Sequence, residues 1–161
     1  MRFWIIFLIC FRFFYAGILT WLQYYVWSHN EFSRLLLPPH QPIKYFLQYS
    51  WTHFWFNAVL SVGAAFLFWL LLRMLKKYQE SFFEQGEPEI GFLCSLIVGW
   101  PNFIIFAPLA FILMILISLF QTIFLKKFHT AFSISFLLAA LAVLFFGSRL
   151  VDILGLGVLR I

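Results

Sequence analysis

Residues 90–125, IGFLCSLIVGWPNFIIFAPLAFILMILISLFQTIFL, run 36 positions without an Asp, Glu, Lys or Arg. As one helix at 1.5 Å per residue the run would be roughly 54 Å long, against a bilayer hydrocarbon core of about 30 Å. It therefore has to turn back. Gly99-Trp100-Pro101-Asn102 is the expected corner, because proline ends a helix and tryptophan prefers the membrane interface. Lys126 and Lys127 close the returning helix, and Phe128 to Ser148 makes a last span before Arg149.

Working back from that run, Phe3 to Trp27 is interrupted only by Arg12 and is long enough to cross a bilayer. It reads as a first helix retained as an anchor. For a secretory signal peptide it is too long, and no small-residue cleavage site follows it. Residues 28–44 are polar, with His29, Glu31, Arg34, Pro38, Pro39, His40, Pro42 and Lys44, and form a loop at one membrane face. Tyr45 to Leu72 is again free of charge, its second half a helix closed by Arg73, Lys76 and Lys77. The loop after it carries Glu80, Glu84, Glu87 and Glu89, four of the six acids in the chain. With two basic residues in the 28–44 loop and three in the 73–89 loop, the positive-inside rule puts both loops on the cytoplasmic face. Residues 42–72 must then cross twice or dip in and return, with Pro42 and the polar Ser50-Trp51-Thr52-His53 patch as the breaks.

Composition agrees with a membrane solution. The chain is 64% hydrophobic and 11% charged, with a mean hydropathy of +0.96, where soluble domains are about 45–50% apolar and about 25% charged. Its 24 Phe, 7 Trp and 6 Tyr exceed what one core of 161 residues can hide, which excludes a water-soluble monomer. The expected fold is all-α: a single membrane domain over 1–161, a polytopic bundle of about five or six transmembrane or re-entrant helices with the lipid bilayer as its first partner. The net charge of +5 falls at the ends of apolar runs, where topology and lipid headgroups account for it, so nucleic acid is not an expected partner. Cys10 and Cys94 have no partner at metal-ligand spacing, and the four histidines form neither HExxH nor an i, i+4 pair. No metal and no cofactor are expected. Arg12 is costly inside a span and needs a polar partner on a neighbouring helix. No Gly-x-x-x-Gly lies in an apolar run, while Ala139, Ala140 and Ala142 permit close helix approach.

The stretch from Gly86-Glu87-Pro88-Glu89-Ile90-Gly91 to Gly99-Trp100-Pro101 resembles the second conserved block of type IV prepilin peptidases, membrane aspartic proteases of the GxGD class. In that family a Gly-Asp pair opens a short apolar helix ending in Gly-Trp. Matching Gly99-Trp100 to that Gly-Trp puts Glu87 on the catalytic Asp and Gly86 on the preceding glycine. The family's first Asp ends a helix seven residues before an Ile-Pro or Leu-Pro, and Glu31 stands seven before Pro38 in Leu37-Pro38. The span from Phe132-Ser133-Ile134-Ser135-Phe136-Leu137 to Phe146-Gly147 is similar to the family's closing helix with its prolines replaced.

The resemblance implies a leader peptidase of the bacterial or archaeal cytoplasmic membrane. Glu31 and Glu87 would hold a water between them, one as base and one as acid, and Gly86 would let the backbone approach a pilin-like precursor peptide. Both positions carry Glu where the family has Asp. The added methylene displaces each carboxylate, and a shift of about 1 Å in such a site can cost about a hundredfold in rate. Pro39 stands where an Asp commonly follows the proline, Glu89 and Gly91 stand near a usual Lys, and the cysteine-rich loop of full-length members has no counterpart, so no methylation activity is implied. Three readings stay open on the sequence: a weakened aspartic-type endopeptidase, a catalytically inactive relative that binds membrane segments, and an unrelated small membrane scaffold. Each leaves the oligomeric state open.

Overall fold

A computed structural model describes residues 2–78, 86–125 and 132–155. Glu80, Glu84 and the Lys126-Lys127 pair lie outside the described residues. Helix α1 spans Arg2–His29 and is followed by a single 3₁₀ turn at Ser33–Leu36. Helix α2 begins at Ile43, directly after Pro42 in extended backbone, and runs to Ser50. A π-helical turn at Trp51–Trp55 joins it without interruption to α3, Phe56–Tyr78. Then come α4 at Glu87–Val98, α5 at Phe103–Phe120 with a closing π turn at Gln121–Leu125, and α6 at Phe132–Ile153. Among the described residues there is no strand, and four helical stretches are long and apolar enough to cross a membrane: Phe3–His29, Ile43–Tyr78, Phe103–Ile123 and Phe132–Ile153. The protein is an all-α membrane bundle, whose described residues form five rods, with α4 too short to span.

The expected double crossing over 42–72 is not what the chain does. Ile43–Tyr78 is one continuous 36-residue helix. The polar patch that reads as a break is absorbed in the π turn, where its side chains bond back onto carbonyls of the preceding turn. Thr52 Oγ1 donates to the carbonyls of Gln48 at 3.1 Å and Tyr49 at 3.0 Å, and His53 Nδ1 lies 3.0 Å from the Tyr49 carbonyl. This rod packs antiparallel to α1 along its length. Trp27 meets Phe46 at 5.5 Å, the indole N–H of Trp55 donates to Thr20 Oγ1 at 3.1 Å, and Ile5, Leu8 and Ile9 lie against a cluster that includes Ala65, Val62 and Trp69. The 30–42 connection and the end of α3 therefore stand at opposite ends of the bundle, not on one face.

The main core joins α3, α4, α5 and α6. Phe68 is its hub, meeting Phe103, Phe106, Phe111 and Phe136 edge-on at 5.7–6.0 Å, the arrangement that aromatic quadrupoles favour. Ala139 and Ala140 are buried on the α6 side of this core, in keeping with their small size. Gly91 is the tight point between helices: a Cβ there would lie 2.5 Å from Leu72 Cδ1 and 3.4 Å from both Phe68 and Phe136. Gly91→Leu is expected to destabilise the bundle by about 1–3 kcal/mol through overpacking, read from the SDS fraction that unfolds it in mixed micelles. Phe3, Trp4, Phe7, Phe11 and Phe14 stay exposed along α1, the side available to lipid.

Candidate functional site

The two carboxylates singled out in the sequence have different surroundings. Gly86, at φ +98°, is in the left-handed conformation that a glycine adopts without penalty, and it turns the chain into α4. Glu87 is the first residue of that helix and only 2% exposed. Its Oε1 accepts the backbone N–H of Ser133 at 3.3 Å, in the first turn of α6. The carboxylate thus sits between the amino ends of α4 and α6, where unpaired N–H groups and both helix dipoles favour an anion. Glu31, by contrast, is exposed in the turn after α1, where the Asn30 side chain accepts the Phe32 N–H at 3.1 Å.

These residues are not brought together. α1 and α4 run parallel, since Ile5 shares a cluster with Phe92 and Arg12 reaches Leu96 farther along both helices. From the Arg12 contact, Glu87 lies back toward the start of α4 while Glu31 lies beyond the far end of α1. At 1.5 Å per residue the two stand roughly 39 Å apart along the bundle axis. The pairing of Glu31 with Glu87 fails because the 43–78 rod carries the chain across the bundle once, not twice.

What the structure does assemble is a polar centre around Arg12. Its Nη2 donates to the carbonyls of Leu96 at 2.6 Å and Ile97 at 3.0 Å, in the last turn of α4. Both acceptors have lost their ordinary helical donors. The Trp100 N–H, which would serve Leu96, goes instead to Ser61 Oγ at 2.9 Å, and position 101, which would serve Ile97, is a proline with no N–H. A cation at a helix carboxyl end is also favoured by the dipole. Gly99 completes the fit, at φ +67°, with its Cα so close to the guanidinium that any Cβ would collide with it.

Beside this contact lies a small chamber of about 180 Å³, lined among others by Arg12, His53, Asn57, Ser61 and Trp100. Ser61 Oγ donates onward to the Asn57 carbonyl at 2.8 Å. Among the described residues no three His, Cys, Asp or Glu side chains converge on a metal position. Cys10 is exposed and Cys94 buried, both as free thiols. The sequence marks Arg12 as needing a partner but not which one, since backbone carbonyls carry no residue label. Pro101 is the available signal, because it guarantees one unserved carbonyl four residues earlier.

No protein-family model, curated protein or solved structure matches the chain.

Proposed function

We propose that this chain is a non-catalytic integral membrane protein, a small helical scaffold. The observation that carries this reading is the separation of Glu31 from Glu87, because two carboxylates about 39 Å apart on parallel helices cannot share one water. Each is accounted for by its own surroundings, Glu31 as an exposed turn residue and Glu87 as the buried side chain that ties the start of α4 to the start of α6. The basic residues suggest an orientation. Arg2, Arg73, Lys76 and Lys77 gather where α1 begins and α3 ends, against Arg34 and Lys44 at the other end of the α1 hairpin. The positive-inside rule then makes the first end cytoplasmic.

A second reading keeps the tie to prepilin peptidases as a catalytically inactive relative that binds pilin-like or other membrane segments. One observation favours it: α4 opens directly after Gly86 and closes at Gly99-Trp100, the layout that the resemblance implies for the second block. The first-loop half of the resemblance has no such support.

Sidedness separates these readings from a peptidase. In a chain with Cys10 and Cys94 replaced by serine, Glu31→Cys and Tyr78→Cys are expected to react with a membrane-impermeant maleimide from opposite faces of sealed vesicles. Labelling of both from one face would overturn the proposal and restore a shared carboxylate site. In a leader-cleavage assay with a pilin-like precursor, the native chain is expected to give no product above the level of a Glu31→Gln, Glu87→Gln double variant.

A further inference from the structure

At the end of the bundle where α1 begins, a groove of about 430 Å³ opens between α1, α3 and α4. Its floor is apolar, built by Ile5, Phe66, Trp69 and Phe92, and two opposite charges, Arg73 and Glu89, stand on its walls. The Arg73 guanidinium lies over the Trp69 ring, 4.2 Å from its centre, which holds the cation against the apolar floor. Arg73 and Glu89 do not pair with each other, and among the described residues neither closes an ion pair elsewhere. Lys76 and Lys77 follow within one turn of α3, so the groove sits at the level of headgroups, its floor running toward the hydrocarbon.

We infer that this groove binds a phospholipid with a zwitterionic, primary-amine headgroup, phosphatidylethanolamine. Charge complementarity selects the occupant. The lipid phosphate answers Arg73, whose planar fork of donors suits phosphate oxygens. The lipid ammonium answers Glu89 and donates hydrogen bonds to it. One acyl chain then lies along the floor, whose volume falls in the range of small-molecule sites. A purely anionic lipid would leave Glu89 facing like charge, and a choline headgroup has no N–H to donate to it. This site does not depend on whether the chain is a scaffold or an inactive peptidase relative.

Native mass spectrometry of the detergent-purified chain tests the assignment, using phosphatidylethanolamine, phosphatidylcholine and phosphatidylglycerol of one acyl composition. The expected result is retention of phosphatidylethanolamine about fivefold above the other two, the scale of one partly exposed charge contact. Glu89→Gln is expected to abolish the preference for ethanolamine over choline, and Arg73→Gln to weaken all three lipids alike. Circular dichroism and size-exclusion profiles matching the native chain show that each variant folds. Equal retention of the three lipids by the native chain overturns the proposal without any variant, as does a Glu89→Gln chain that keeps the ethanolamine preference.

Discussion

Gly99→Ala is expected to lower the stability of the bundle by about 3–5 kcal/mol, from two separate costs. The first is conformational: at φ +67° and ψ 175° an alanine pays about 1–3 kcal/mol for a backbone region that essentially only glycine occupies. The second comes from the collision between its methyl group and the Arg12 guanidinium, which must withdraw from the Leu96 and Ile97 carbonyls. Those carbonyls then stay without donors, because Trp100 already donates to Ser61 and position 101 has no N–H. Arg12→Leu removes the same two bonds directly and is expected to cost about 2–4 kcal/mol. Since both changes break one contact, their effects should not add: the double variant is expected to recover about 1–3 kcal/mol relative to the sum. The measurement is SDS-induced unfolding in mixed micelles followed by tryptophan fluorescence. Strict additivity would mean that Arg12 and Gly99 act independently, and that the guanidinium is not what closes the end of α4.

This terminus also shows what kind of information the sequence holds. The corner at 99–102 is legible because glycine and proline act on their own backbone, whatever surrounds them. The membrane class and the all-α bundle are legible because a charge-free run of 36 residues has few other solutions. The path of 43–78 is not. Ser50-Trp51-Thr52-His53 has the polarity of a loop, but Thr52 and His53 turn their polar atoms onto the helix's own carbonyls, and a π turn keeps the rod intact. Pro42 has the sequence character of a break within a re-entrant segment, whereas it marks the start of a single helix.

The placement of the 28–44 loop fails for a second cause. Arg34 and Lys44 make that segment look cytoplasmic when counted alone, yet the positive-inside rule compares two ends and sets no threshold for one. Once the 43–78 rod is continuous, those two residues face the larger basic set of Arg2, Arg73, Lys76 and Lys77 across the bundle. Of the candidate site residues, Glu87 stands at the opening of a short helix, directly after Gly86. Glu31 is the residue that local sequence misplaces, because its expected partner depends on topology, which a local motif cannot fix.

Glu87 supplies the prediction that best separates a structural carboxylate from a catalytic one. Glu87→Ala is expected to destabilise the bundle by about 2–4 kcal/mol, since it strands the Ser133 N–H and leaves the starts of two helices without their anion. Glu87→Gln keeps one acceptor oxygen but removes the charge and turns the other oxygen into a donor, so it should cost less than Glu87→Ala, about 1–2 kcal/mol. A catalytic acid behaves in the opposite way: it is held against the preferences of the fold, and its removal leaves stability unchanged or improved. The same SDS titration reads both variants. If Glu87→Ala proved as stable as the native chain, the two helix ends would not be what holds the carboxylate in place, and a chemical role for it would have to be sought with a partner other than Glu31.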